Sequence, residues 1–193
     1  MSSYTVFRDV SFALRTLLWD AMKDDAMVNV FIQSEQAIGF ADPASAIQAG
    51  GPSVSLWLYA VNIDEFRRND PPTRIAEAEW RYPPLPLVLS YLITPLGPRD
   101  NPEAAQLILG NMMCTLYANA ITILSDPAGP VHEELKIVLA PLTLGELTAI
   151  WEALRQPYQL SVAYQIRIAR LDIDAELSQA RVIERTTAWA GVS

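Results

Sequence analysis

The sequence predicts an α+β fold: a mixed, mainly antiparallel sheet with helices packed on one side. Three observations predict it. Long runs at 53–63, 85–94 and 160–168 alternate in the period of a strand. Two stretches, at 5–23 and from Asn101 onward, carry apolar stripes at helical spacing. A helix with strong start and stop signals at 143–156 feeds directly into the third long strand. The predicted order is α, β, β, α, short β, α, β, β, and strands paired with one-faced helices pack most simply as two layers. No internal repeat or linker interrupts the chain, so residues 1–193 read as one domain.

The first helix, 5–23, places Val6, Val10, Ala13, Leu14, Leu17 and Ala21 on one face. Residues 34–52 read as a loop, with Gly39, Asp42-Pro43 and Gly50-Gly51-Pro52. In the strand at 53–63, Val54, Leu56 and Leu58 share one face and Trp57, Tyr59, Val61 and Ile63 the other. Both faces look covered, as in a central strand. A charged, proline-bearing excursion follows at 64–84. Loops beyond about 12–15 residues are usually functional or disordered. Its charges are mixed in sign, which suits a contact arm better than a phosphate site.

The strand at 85–94 tolerates Pro86 near its start, where a missing amide costs little. Asn101-Pro102 opens the second long helix as N-cap and first-turn proline. Its expected stripe runs Ala105, Ile108, Leu109, Met112, Leu116, Ala120 and Ile123, with Asp126-Pro127 as its end. A short strand is predicted at 134–139. Thr143 and Glu146 then make a capping box, with Leu142 and Leu147 at the two positions of a hydrophobic staple. Leu147, Ile150, Trp151 and Leu154 form the stripe, and Pro157 stops the run by disfavouring helix at Gln156. Leu160, Val162, Tyr164, Ile166 and Ile168 mark the buried face of the next strand. Beyond a polar turn with Asp172 and Asp174, residues 181–189 read as a last strand.

Composition bounds the function. A chain of 193 residues can bury roughly 70% of its unfolded surface. It is 51% apolar and 19% charged, so it is not a disordered chain. A formal charge of −8 supplies no phosphate-neutralising stripe, which argues against nucleic-acid binding. No run approaches the ~18 apolar residues of a membrane helix. No basic leader with an apolar run and cleavage site stands at the amino terminus, so no signal peptide is expected. Cys114 is the single cysteine, which excludes an intrachain disulfide and fits synthesis in a reducing cytoplasm.

Nothing reads as a catalytic, cofactor or metal site. Nucleophilic catalysis needs a base beside the nucleophile. His132 is the only histidine, no Gly-x-Ser-x-Gly elbow is present, and Cys114 lies among apolar neighbours on a helix, where a structural thiol is expected. Asp172 and Asp174 share a strand face but read as a solvated turn. Gly50-Gly51-Pro52 lacks the lysine and helix of a phosphate loop. Of the tryptophans, Trp80 and Trp189 are the best interface anchors.

The segments Val54-Ser55-Leu56-Trp57-Leu58-Tyr59 with Arg67-Arg68-Asn69, Pro83-Pro84-Leu85-Pro86-Leu87 with Tyr91-Leu92-Ile93-Thr94, the Asn101 helix, Leu142-Thr143-Leu144 with Ile150-Trp151, and Tyr158-Gln159-Leu160-Ser161-Val162-Ala163-Tyr164 occur in one order. In this the sequence resembles the amino-terminal domain of cap, or tail-terminator, proteins of phage-tail-like contractile injection systems, of the antifeeding prophage and Photorhabdus virulence cassette type. Many relatives continue into a further carboxy-terminal region, and no contact made through it is carried over.

The resemblance implies a tail-terminator-like fold and a structural, non-enzymatic protein without cofactor. It implies a homohexameric ring that ends the inner tube and ties on the last sheath ring, with the tube and sheath proteins as partners. Assembly in the bacterial cytoplasm is expected, within a particle that is released or retained. No nucleic acid and no membrane insertion are expected. Arg67, Arg68, Arg74 and Trp80 of the excursion are the inter-subunit contact candidates. Val182, Ile183, Thr186 and Trp189 are the candidates for a strand that meets the sheath. Two other readings are a terminator of a contractile bacteriophage tail and, in another class, a small-molecule-binding domain or unrecognised enzyme.

Overall fold

The computed structural model describes residues 5–50, 53–66, 73–76, 79–81, 85–97, 101–125, 132–168 and 177–178. Its centre is a six-stranded sheet of β1 (Ile38–Gly39), β2 (Val54–Ile63), β5 (Leu87–Pro95), β8 (Val162–Ile168), β7 (His132–Leu139) and β6 (Ile121–Ser125), in that order across the sheet. Only β1 and β2 are parallel; every other neighbouring pair is antiparallel. A second, three-stranded sheet joins β3 (Thr73–Ala76), β4 (Glu79–Arg81) and β9 (Leu177–Ser178).

Two long helices cover one face of the large sheet. In α1 (Val6–Met22) the buried ridge is Val6, Val10, Leu14, Leu18 and Met22. It follows strict i,i+4 steps, so the expected Ala13, Leu17 and Ala21 fall on its half-buried flanks. In α3 (Pro102–Ala118) Asn101 caps by accepting from the Ala104 amide, and Ala104, Ile108, Leu109, Met112 and Leu116 are buried. Both ridges pack on Leu56, Leu89, Tyr91, Ile93, Tyr164 and Ile166. The Ser11 hydroxyl, on α1, meets the Tyr91 hydroxyl of β5 at 2.8 Å.

Four expectations change. The expected loop at 34–52 holds β1 and a helix, α2 (Pro43–Gln48); Asp42 accepts from the Ser45 amide at 2.8 Å, with Pro43 in the first turn. The Asp-Pro pair is a helix start, not a turn. The helix from Asn101 does not run through Ile123. It ends at Ala118, Asn119 donates to the Thr115 carbonyl, and the β-branched run Ile121-Thr122-Ile123 turns to strand. The strand at 53–63 is not covered throughout: it is buried only over Val54–Leu56, because the two-residue β1 flanks just that end.

The fourth change concerns α4 (Leu144–Ala153). Its capping box is present, with the Thr143 amide 2.7 Å from Glu146 Oε2. The Thr143 amide and hydroxyl hold the Glu146 carboxyl below its usual range. Its stop is not Pro157 but Arg155, in the left-handed region at φ 54°. Arg155 N donates to Glu152 O, and Gln156 N to Trp151 O, which closes the helix end before the proline is reached. Unlike α1 and α3, α4 lies on the opposite face. There Leu147 and Ile150 pack on Leu92 and Ala163 beside Trp57 and Tyr59. Trp151 is fully buried and its indole N–H donates to Ser161 Oγ at 3.1 Å.

Candidate functional site

The excursion after β2 leaves the sheet at an anchored point. The Asp64 amide donates to Pro86 O at 2.9 Å, which ties the strand end to the start of β5. The Asp64 side chain is 6% exposed. Its Oδ1 accepts from the Phe66 amide at 3.1 Å, and its Oδ2 lies 3.7 Å from Arg167 Nη1 on β8. The Arg167 guanidinium sits 5.6 Å from the centroid of the Phe66 ring. Arg167 Nε is buried without a hydrogen-bond partner among the described residues. The buried Asp64 carboxylate and the Phe66 ring, just beyond β2, and the Arg167 cation on β8 thus fix the first residues of the excursion.

Further along, the excursion is not simply a loop. Its β3 and β4 form a hairpin in which Arg74 pairs with Trp80, and β9 extends it with Leu177 opposite Trp80. Two of the contact candidates, Arg74 and Trp80, are therefore direct cross-strand neighbours. Arg67 and Arg68 lie outside the described residues, as do Val182, Ile183, Thr186 and Trp189 and the predicted strand at 181–189.

Chemistry elsewhere is sparse. Among the described residues, no group of three or more His, Cys, Asp or Glu could hold a metal ion. Cys114 is exposed rather than packed in the core. It projects from the flank of α3 away from the buried Met112 and Leu116. It borders an open depression of about 720 Å³ with Asp25, Val28, Glu103, Leu107 and Asn111. Asn111 Nδ2 donates to Asp25 Oδ2 at 2.9 Å there, which pins α3 to the turn after α1. The backbone of His132 pairs with Ser125 at the start of β7. No helix among the described residues is long and apolar enough to cross a membrane.

The feature that sequence reasoning missed is the pair of sheet edges. With α3 ended early, β6 is an edge strand among the described residues, with Ile121 and Ile123 exposed. The β-branched run was the available signal.

The family model of the Pvc16 N-terminal domain matches residues 9–185. The chain belongs to the Pvc16 N-terminal domain family. Its fold is similar to the sheath/tube terminator of the PVC extracellular contractile injection system in the extended state, solved by cryo-EM. The TM-score is 0.54 at 19% identity, over 92% of this chain and 63% of that chain. The tube-terminating cap of the anti-feeding prophage aligns with a TM-score of 0.49 at 18% identity, over 87% of this chain and 59% of that one. The chain thus spans under two thirds of the length of either structure. Comparison with curated proteins gives no match.

In this member of the Pvc16 N-terminal domain family the two long helices share one face of the large sheet. The large sheet needs one covered face for its core, and the opposite face is left for α4 and for surface.

Proposed function

We propose that this chain is a structural cap protein of an extracellular-type contractile injection system. It forms a homohexameric ring that terminates the inner tube and anchors the last sheath ring. The observation that carries the reading is the family match over residues 9–185; the fold likeness to a sheath/tube terminator supports it. The partners are further copies of the chain, the tube protein and the sheath protein. No catalytic step, nucleic acid or membrane insertion belongs to this function. Assembly takes place in the bacterial cytoplasm, as one domain added to a finished tube.

Within this reading the excursion at 64–84 is one side of the ring contact, with Arg67, Arg68, Arg74 and Trp80 meeting acidic or apolar surface on the neighbour. A closed ring needs such a heterologous interface, repeated until the rotation closes. The strand predicted at 181–189 offers Val182, Ile183, Thr186 and Trp189 to the sheath by strand addition.

The test is particle morphology without the protein. Its removal should broaden the tube-length distribution in negative stain and leave sheath detached at one tube end, with both restored by re-expression. Uniform, sheathed tubes in its absence would overturn the proposal.

A further inference from the structure

Among the described residues, the six-stranded sheet ends in two edges that no further strand covers. At one end, β6 pairs only with β7 among the described residues. The Ile137 amide donates to Ala120 O at 2.8 Å. In an antiparallel ladder such bonded pairs alternate. Residues Ala120, Thr122 and Leu124 therefore turn their backbone groups to β7, and Ile121 and Ile123 turn theirs outward. At the other end β1 covers only Val54 and Ser55 of β2. The Asp64-to-Pro86 bond, with Ala60 opposite Ser90 and Asn62 opposite Val88, sets the phase there. Val61 and Ile63 turn their backbone groups away from β5.

Both edges are apolar as well as open. Ile121 and Ile123 are 64% and 63% exposed, and Val61 and Ile63 are each 44% exposed. Neither stretch carries the lysine or proline with which free edges are usually blunted.

We infer that successive copies of the chain join by pairing β6 of one copy with the outer edge of β2 of the next, so that the sheet continues around the ring. This rests on the ring reading above. Two geometric facts match the edges to each other. The first is direction. From β2 through β5, β8 and β7 to β6 every step is antiparallel. Four reversals leave β6 running the same way as β2. Rotation about an axis along the strands preserves that direction, so the pairing is parallel. The second fact is the pleat. Ile123 is opposite Glu134, Lys136 opposite Arg167, Arg167 opposite Val88, and Val88 opposite Asn62. Ile123 and Asn62 hence lie on one face of the sheet. In a parallel ladder with Ile123 beside Asn62 of the next copy, the Ile123 amide donates to Val61 O and its carbonyl accepts from the Ile63 amide. Those are the outward groups of the β2 edge. A two-fold pairing of β6 with β6 would leave the β2 edge unused and could not propagate.

The test is a cysteine pair in assembled particles. Asn62→Cys with Ile123→Cys, in a Cys114→Ala background, puts two thiols on one face of neighbouring strands. That spacing is within disulfide reach. Mild oxidation should give a covalent ladder of copies, absent when either cysteine is omitted. A dimer from Ile123→Cys alone would overturn the inference in favour of the two-fold pairing. No ladder, with rings visible at tube ends by cryo-EM, would overturn the inference and leave the ring standing. Absence of rings in untreated particles would remove the ring reading, and the inference with it. As a second arm, Ile123→Pro and Val61→Pro each delete one outward amide and keep the inward ladder. Each should fold and lose ring formation, whereas retention of rings by both would count against the pairing.

Discussion

Ser11 and Tyr91 share a hydrogen bond across the α1–sheet contact, oxygen to oxygen at 2.8 Å, with both residues buried. The Ser11 hydroxyl also lies 2.9 Å from the Phe7 carbonyl of its own helix. A carbonyl can only accept, so the one Ser11 proton goes to Phe7 and Tyr91 is the donor to Ser11. The two truncations are therefore unequal. Ser11→Ala leaves a phenol buried without an acceptor and should cost about 1–3 kcal/mol. Tyr91→Phe removes the donor while Ser11 keeps its Phe7 bond, and should cost about 1 kcal/mol or less. Urea unfolding of the single and double variants checks this. A larger loss for Tyr91→Phe would refute the assigned proton.

Burial pushes the Tyr91 hydroxyl up to about 12. An unfolded tyrosine titrates near 10. Below that, both states are protonated and the contribution to stability is complete. As pH rises toward the folded value the unfolded chain ionises first, so stability falls. Burial pushes Tyr59 and Tyr164 in the same direction. Unfolding measured at about pH 9 and about pH 11 should show a drop that is smaller in Tyr91→Phe. An equal drop in both proteins would assign the loss to other groups.

How legible the fold was depended on whether the deciding interaction was local. The capping box of Thr143 and Glu146 and the Asn101 cap are contacts within one turn, and both appear as read. The start of α2 at Asp42-Pro43 has the same local chemistry as Asn101-Pro102, but no apolar stripe follows it in so short a helix. The end of α3 was missed because Ile121 and Ile123 continue the helical stripe in sequence, and only pairing with β7 decides for strand. The open edges follow from strand order, which is long-range. The candidate contact residues were read from charge and position, and of these the structure places only Arg74 and Trp80, opposite one another in the hairpin.

The end of α4 stores backbone strain. Arg155 sits at φ 54°, the only non-glycine residue at positive φ among those described. The left-handed region costs an L-residue about 1 kcal/mol or more, and glycine is free of that cost. Both closing bonds, Arg155 N to Glu152 O and Gln156 N to Trp151 O, use backbone atoms that glycine retains. Arg155→Gly should therefore stabilise the protein by about 0.5–1 kcal/mol. A fall in the denaturation midpoint would show that the Arg155 side chain contributes more than its strain costs.

If the protein is purely architectural, its lone thiol and imidazole are dispensable. Cys114 is exposed on the α3 flank, where alanine leaves no cavity. Cys114→Ala and His132→Ala should leave tube length and sheath attachment unchanged. Loss of assembly by either variant at unchanged thermal stability would point to a functional site at that residue.

The Asp64–Arg167 pair couples the excursion to the sheet, and its removal should separate folding from assembly. Arg167→Gln leaves an Asp64 side chain that is 6% exposed without its cation. Breaking a fully buried pair costs about 3–5 kcal/mol. Here the Arg167 side chain is 36% exposed and the closest approach is 3.7 Å. Solvent screening lowers the expected cost to about 1–2 kcal/mol. The Asp64 bond to the Phe66 amide persists, so the loosening should be local. Hydrogen exchange should quicken at residues 62–66 and stay unchanged in α1. If the excursion is a ring contact, Arg167→Gln should reduce ring formation more than Ser11→Ala does at matched stability, because Ser11 bonds Phe7 and Tyr91 in the core rather than a residue of the excursion. Equal assembly by the two variants would mean that the excursion does not carry the contact, whatever its effect on folding.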